Sequence, residues 1–334
     1  MTELAGAKVG RPADEEVIIL KDASKQKRKM EYTDTPETVR MREVVRDYTN
    51  LLLRHFIDIR RLDSPWIERE NGNRLMIGPA HQRVYRVFNR GSFQHGGRFY
   101  GPWWQQCPKE WRREIFINDA PTIEQDYSSL HIALLYARHG VNFYREYDGD
   151  AYAIDTPVFL ATATETRKYA KKLLLTAVNA KSDKATYLAF RSECNKAGDQ
   201  VGGSLTDKEL SVLLNGLRTK HPLIAGDLAT DVGIVLMYDD SRITEHVIKR
   251  FMAKEVAVLT IHDSYISHYQ DHALLQDAMD EGFHMVTGMY GIKSERTGVA
   301  GDMTGWEMER LELSVLRRSR GYKQREIDWM AYRR

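Results

Sequence analysis

The chain has 334 residues, which is enough for one large domain or two moderate ones with a substantial core. Its 49 Lys and Arg against 47 Asp and Glu leave a formal net charge of +2, so any basic surface must be local. Two cysteines exclude a disulfide framework or a zinc-ligand cluster and indicate a reducing environment. No apolar run reaches the roughly 18 residues of a membrane span and the polar N-terminus lacks a signal peptide, so we expect a soluble, cytoplasmic protein.

The N-terminal region is predicted to be a basic arm followed by a helix. Residues 1–33 are polar and carry a basic cluster at 25–29, which predicts a flexible, solvated arm, with phosphate contact as the alternative. Thr35-Pro36-Glu37 is typical of a helix start, and apolar residues then recur at helical spacing. This pattern predicts one amphipathic helix that ends near Asp63.

Residues 71–121 are irregular and rich in glycine, aromatic residues and arginine, most of all between Arg90 and Trp104. Glycine lets a backbone approach a ligand closely, and Arg and aromatic side chains suit phosphates and base faces. Plain packing of an aromatic-rich loop is the alternative.

Two acids are predicted to lie at the ends of strands. A short strand is expected to reach Asp126, followed by a helix that Ser128 or Ser129 caps and Gly140 ends. Residues 256–267 predict a hairpin of two apolar strands with Asp263 in its tight turn. A carboxylate on such rigid backbone suits a metal ligand, although Asp126 taken alone could simply cap a helix.

Between these acids, residues 164–181 predict a helix with a cationic face. Arg167, Lys171, Leu175 and Asn179 recur every fourth residue and therefore share one side. Such a stripe is commonly only solvated, but here it flanks an apolar Leu-Leu-Leu run, and a cationic face on a partly buried helix suits a triphosphate.

The remaining pattern predicts a loop at 192–208 and helices near 207–217, 221–237, 241–252 and 271–285, the third capped by residues 239–241. The tail from Leu316 is basic; a solvated end is the default expectation, and nucleic-acid contact is the alternative.

These motifs, in this order, resemble those of the family A DNA polymerases and the single-subunit phage and mitochondrial RNA polymerases. Residues 126–131 (DYSSLH) resemble motif A, Arg167-xxx-Lys171 with Asn179 resembles motif B, and residues 261–265 (IHDSY) resemble motif C. Residues 97–100 (GRFY) resemble an element that contacts template, and residues 239–241 an Asp-Gly-Ser stretch. The resemblance covers roughly residues 90–290.

The resemblance implies an α+β fold: an antiparallel palm sheet that carries both acids, helical fingers and a reduced N-terminal region. It divides the chain into an arm (1–33), a thumb-like, template-contacting region (34–115), palm and fingers (116–310) and a basic tail (311–334).

The implied activity is template-directed addition of nucleotides to a 3′-OH, and the match of motif C favours RNA or primer synthesis. Mg²⁺ or Mn²⁺ would be bound by Asp126, Asp263 and the Tyr127 carbonyl. Lys171 would also protonate the leaving pyrophosphate. The nucleotide would contact Arg167, Lys171, Lys172, Tyr127, His131 and Leu175. The template or primer would contact Arg98, Tyr100, Asn179 and His262.

Three departures from the family pattern leave sugar choice open. His131 stands where the DNA enzymes have a glutamate, Asn179 replaces a tyrosine, and the region near Leu236 lacks the histidine of the RNA enzymes. The expected partners are a template and primer strand with NTPs or dNTPs, and no membrane. The protein is expected to be a monomer or to be recruited by a replication partner.

Three alternatives remain. The chain could be a small family A-like DNA polymerase or an inactive nucleic-acid-binding replication protein. His262-Asp263 could instead be the metal-binding dipeptide of a phosphohydrolase, but such pairs lie on helices and this one lies among strand-forming residues.

Overall fold

A computed structural model describes residues 15–69, 71–154, 162–297 and 318–332. Its α-helices are α1 (Pro36–Leu53), α2 (Lys109–Arg112), α3 (Leu130–Arg138), α4 (Phe143–Glu146), α5 (Ala163–Asn179), α6 (Asp183–Lys196), α7 (Gln200–Ser204), α8 (Asp207–Lys220), α9 (Gly233–Met252), α10 (His272–Thr287) and α11 (Arg320–Tyr332). Its strands are β1 (Ile18–Lys21), β2 (Lys29–Met30), β3 (Ile57–Ile59), β4 (Trp66–Glu68), β5 (Arg74–Met76), β6 (Tyr85–Asn89), β7 (Ser92–Tyr100), β8 (Ile115–Ile117), β9 (Ala120–Tyr127), β10 (Val258–Ile261), β11 (Ser264–His268) and β12 (Ser294–Thr297).

The main sheet confirms the predicted α+β class and the predicted hairpin. Its order is β10-β11-β9-β8-β3, with β12 also paired to β9, and every pairing in it is antiparallel. Helices α9 and α10 pack against each other and contact β10 and β11. Because β3 belongs to this sheet, the N-terminal third of the chain contributes directly to it.

Helix α1 begins as predicted and ends earlier than predicted. The Thr35 Oγ1 accepts from the Thr38 backbone N–H, and the Thr38 Oγ1 accepts from that of Thr35, which forms a capping box. The helix ends at Leu53, and the predicted continuation towards Asp63 is wrong, because Ile57 and Ile59 are buried in β3. These two isoleucines are two residues apart, and this spacing is compatible with a strand as well as with the end of a helix.

A second sheet, of order β2-β1-β6-β7, corrects the predicted flexible arm. Strand β1 pairs in parallel with β6 and buries Ile18 and Leu20. The apolar run at 17–20 therefore supplies enough buried surface to order this part of the arm. Residues 1–14 of the arm lie outside the described residues.

The helical region between the acids differs from its prediction at three places. The helix predicted at 221–237 is wrong over its first part, because Pro222–Ile224 form a 3₁₀ turn and α9 begins only at Gly233. Helices α6 and α7 occupy much of the predicted loop at 192–208, whereas α8 and α10 lie where helices were expected. Residues 239–241 were predicted to cap a helix, but they lie inside α9, where Asp240 and Ser241 are buried. The Asp240 Oδ2 accepts from Arg98 and the Ser241 hydroxyl donates to the Tyr238 carbonyl, so neither side chain acts as a cap. The buried Asp240 Oδ1 has no partner among the described residues.

The C-terminal helix α11 corrects the prediction of a solvated tail over residues 320–332, and residues 333 and 334 lie outside the described residues. Tyr322 and Trp329 pack on Phe56, which follows α1. The Arg325 guanidinium donates two hydrogen bonds of 2.8 Å to the buried carboxylate of Asp58. Residues 311–317 of the predicted tail lie outside the described residues. No helix within the described ranges has the length and apolar character needed to cross a membrane.

Candidate active site

The two predicted acids lie at the same end of neighbouring strands. Asp126 is the penultimate residue of β9 and is in register with Ser264 of β11, the residue after Asp263. The Tyr127 backbone N–H also faces the Asp263 carbonyl, at an N–O distance of 3.5 Å. His262 takes the left-handed backbone conformation (φ 56°) that the tight turn requires. The hairpin therefore holds Asp263 beside Asp126.

Further acids surround Asp126. Glu124 lies on the same face of β9, two residues earlier, and Glu295 of β12 is in register with Asp126. Arg112 donates hydrogen bonds of 2.9 and 2.8 Å to the Glu124 carboxylate, and the Ser264 hydroxyl donates one of 2.8 Å. Glu124 is thus held in place by Arg112 and Ser264.

The electrostatic environment raises the pKa of Asp126 from its ordinary 3.8 to about 7. Partial burial is the main cause, followed by the negative charges of Asp263, Glu124 and Glu295, and Lys171 opposes them. The side chain nevertheless keeps contact with solvent. An accessible site with excess negative charge and carboxylate oxygens fits a divalent cation such as Mg²⁺.

The candidate metal site offers two carboxylates and one backbone carbonyl to a divalent cation. Among the residues that the structure describes, no group of three or more His, Cys, Asp or Glu side chains is arranged to hold a metal ion. Asp126, Asp263 and the Tyr127 carbonyl are therefore the candidate protein ligands. Mg²⁺ commonly keeps several waters and binds through one or two carboxylates and substrate phosphates, so a small donor set is compatible with it.

The predicted cationic face of α5 exists, and one of its lysines lies within electrostatic reach of Asp126. Arg167, Lys171 and Asn179 are exposed, whereas Leu173 and Leu174 are buried on the other side of the helix. The Lys171 charge acts to lower the pKa of Asp126, which places it within electrostatic reach.

A buried tyrosine that the sequence did not indicate organises both cations. The Lys171 Nζ lies 5.4 Å from the centre of the Tyr152 ring, and the Arg167 guanidinium lies 5.8 Å from it. Burial raises the pKa of Tyr152, and the nearby Ser129 side chain, at the start of α3, acts to lower it. Arg167 forms an ion pair with Asp150. No periodic signal marks Tyr152, because it lies in a turn before the undescribed segment 155–161.

Lys172 was predicted to bind the nucleotide, and the structure places it elsewhere. Its Nζ lies 3.4 Å from the Cys194 Sγ, between α5 and α6. Adjacent residues on a helix point about 100° apart, so Lys171 and Lys172 cannot both face the acids. This prediction is corrected.

Arg98 was predicted to contact template, but its side chain is engaged inside the protein. Its Nε donates to the Asp240 carboxylate at 2.5 Å, and its Nη2 lies 3.3 Å from the His131 Nε2. Because the guanidinium only donates, the His131 Nε2 accepts and Nδ1 carries the proton. Burial and the Arg98 charge lower the pKa of His131, so the ring is neutral at pH 7. Asp240 is the partner that the sequence interpretation missed.

Five other predicted site residues lie in three different places. The Tyr100 ring packs on the His262 ring, with 5.5 Å between the centroids, directly beside the Asp263 turn. Leu175 and Asn179 line a cavity of about 520 Å³ between α5 and α6. Asn179 lies eight residues beyond Lys171, or about 12 Å along the helix axis. The side chain of Tyr127 is buried, and its hydroxyl donates to the Met279 carbonyl at 2.5 Å, so only its backbone is available to a ligand.

Two acids near Asp126 were not predicted from the sequence, and only one of them had a signal there. Glu124 could have been found from strand alternation, since it precedes Asp126 by two residues. Glu295 had no such signal, because it reaches Asp126 only through the pairing of β12 with β9. The phosphohydrolase interpretation loses its basis, because His262 and Asp263 lie in a strand-to-strand turn.

Comparison with known proteins gives little guidance on function. No protein-family model matches the chain, and no curated protein matches it. Among solved structures, it is similar to the POL domain of Pol1 from M. smegmatis in complex with DNA primer-template and dNTP, with 11% sequence identity and a TM-score of 0.40. The match covers 80% of this chain and 52% of that chain, so this chain spans about half the length of that structure.

Proposed function

We propose that this protein is a template-directed nucleotidyltransferase that adds nucleotides to the 3′-OH of a nucleic-acid strand. The observation that carries the proposal is the pair of strand-end carboxylates, Asp126 and Asp263, with Lys171 within electrostatic reach. Phosphoryl transfer from a nucleotide needs acids for divalent cations and positive charge for the phosphates. The site supplies both on rigid elements.

The chain's own residues take distinct parts in this proposal. Two Mg²⁺ ions held by Asp126, Asp263 and the Tyr127 carbonyl would activate the attacking hydroxyl and stabilise the leaving group. Arg167 and Lys171 bind the triphosphate, and Lys171 donates a proton to the pyrophosphate. Tyr152 positions both cations through its ring. His131, held by Arg98, lies beside the sugar of the incoming nucleotide.

RNA or primer synthesis is the favoured form of the activity, and a small family A-like DNA polymerase is the alternative. A neutral imidazole at position 131 can donate a hydrogen bond from Nδ1 to a ribose 2′-OH, whereas a glutamate there mainly accepts one. An inactive nucleic-acid-binding protein is less well supported, because both acids and both cations remain in place.

The test is nucleotide addition on a labelled primer annealed to a DNA or RNA template, with Mg²⁺ and either NTPs or dNTPs. Wild-type protein should extend the primer in a template-dependent way, and NTPs should serve at least as well as dNTPs. Asp126→Asn protein, purified in parallel, controls for contaminating polymerases. Absence of extension with either nucleotide set, by folded protein, would reject the proposal.

A further inference from the structure

We propose that a cleft between the second sheet and α9 binds single-stranded nucleic acid and leads it to the two acids. This inference rests on the proposed function, since it assigns the path of a template strand. The cleft has a volume of about 930 Å³ and is walled by β1, β6 and the β1–β2 turn on one side and by Ile234 and Met237 of α9 on the other. We call it the sheet–helix cleft.

Three lysines supply unpaired positive charge to one wall of the sheet–helix cleft. The acids that also line the cleft are engaged, Glu15 with Arg83, Glu16 with Arg42, and Asp22 with the backbone of its own turn. Lys21, Lys27 and Lys29 line it, and none of them forms an ion pair with a described residue. In contrast, two arginines in the cleft are already paired, Arg83 with Glu15 and Arg90 with Asp231. Unpaired lysines on a concave surface suit the phosphates of a nucleic-acid backbone.

The turn that carries these lysines is ordered by hydrogen bonds. The Asp22 carboxylate accepts from the backbone N–H groups of Ser24 and Arg28, at 3.1 and 3.0 Å, and β1 itself is anchored by β6. The basic cluster at 25–29, first interpreted as a loose arm, is thus presented at a fixed place. A positioned cluster loses less conformational entropy on binding than a flexible one.

Aromatic rings line the other part of the cleft. Tyr85 and Tyr100 are stacked, with ring centroids 6.2 Å apart and an interplanar angle of 28°. Gly101 makes room for them, because a Cβ there would lie 3.0 Å from the Tyr85 ring and 2.3 Å from the Arg83 carbonyl. Aromatic faces bind any unpaired base by stacking, whereas the bases of a duplex already stack on one another. The combination favours a single strand.

The cleft continues towards the acids through Tyr100. The same ring that lines the cleft packs against His262, and His262 precedes Asp263 in the hairpin turn. A strand that follows the lysines and tyrosines would therefore arrive beside the candidate active site.

The test measures binding of a fluorescent oligothymidine and a fluorescent oligouridine by anisotropy, without nucleotides or Mg²⁺. The variant K21Q/K27Q/K29Q should bind both oligonucleotides roughly tenfold or more weakly. A plot of log affinity against log salt concentration should have a slope about two units shallower than that of the wild type. Each lost phosphate contact on a single strand contributes about 0.7 to that slope. The matched control K208Q/K254Q/K323Q removes three exposed lysines outside the cleft and should leave affinity and salt dependence unchanged. Equal weakening by both variants, or none by the first, would overturn the inference.

A second pair of variants tests the stacking. Tyr85→Ala should weaken binding by roughly five- to a hundredfold, whereas Tyr85→Phe, which keeps the ring, should not. Wild-type affinity in Tyr85→Ala would count against the inference. The binding assay contains neither nucleotides nor Mg²⁺, so its result is independent of catalysis. If the wild type binds through the cleft but never extends a primer, only the proposed function fails.

Discussion

Replacing Asp126 with Asn should stabilise the fold while abolishing nucleotide addition. In the folded protein the pKa of Asp126 is about 7 instead of 3.8, so near pH 7 the carboxylate is ionised at a cost that the unfolded chain does not bear. Three pKa units correspond to at most about 4 kcal/mol. Because the side chain is open to solvent, screening reduces this figure, and we expect Asp126→Asn to gain about 1–2 kcal/mol at pH 7 to 8.

The stabilisation by Asp126→Asn should increase with pH. Between pH 4 and 7 the folded state keeps a proton on Asp126 that the unfolded state has released. The free energy of unfolding of the wild type should therefore fall as pH rises through this window. The free energy of unfolding of Asp126→Asn should lack this fall with pH. The free energies of unfolding of the two proteins should therefore differ least near pH 4 and most above pH 7.

Urea unfolding at several pH values measures this difference, with Asp277→Asn, an exposed acid of α10, as the matched control. Adding Mg²⁺ at pH 8 provides a second readout. A bound cation at ten times its Kd stabilises by about 1.4 kcal/mol, and only the wild type and the control should show it. An Asp126→Asn protein that is less stable than wild type at pH 8, or a Mg²⁺ effect equal in all three, would refute the reasoning.

The remaining predictions concern activity and one helix end. Asp263→Asn should abolish primer extension while the circular dichroism spectrum stays native; full activity would mean that the acids are misassigned. Lys171→Gln should slow single-turnover addition by roughly 10²- to 10⁴-fold. The neighbouring Lys172→Gln should not, because Lys172 contacts Cys194; equal effects would contradict the proton-donor role. His131→Ala should change NTP use by roughly ten- to a hundredfold in kcat/KM. His131→Glu should move preference towards dNTPs, and a wild type already selective for dNTPs would contradict this sugar assignment. Thr35→Ala should lower the free energy of unfolding by about 1 kcal/mol in urea titrations, because it removes a capping hydrogen bond.

The sequence alone determined the features that depend on neighbours within a few residues. The strand–turn–strand pattern around Asp263 and the strand that ends at Asp126 were both predicted from residue type and period. The face of α5 that carries Arg167 and Lys171 was also predicted, because side chains four residues apart on a helix share a side. The Thr35 cap is equally local.

Only the tertiary structure decided which of these features meet. Ile57 and Ile59 suit a helix end and a strand equally, and the partner strand β8 selected the strand. Arg325 looks like one of many tail cations, yet the buried Asp58 pairs with it and orders α11.

At the candidate site the same limit applies. Residue spacing could not show that Lys171 lies within electrostatic reach of Asp126 while Lys172 contacts Cys194, that Glu295 pairs across from Asp126, or that Asp240 holds Arg98. These contacts join residues far apart in the chain, and their energies depend on burial and distance, which local patterns do not encode.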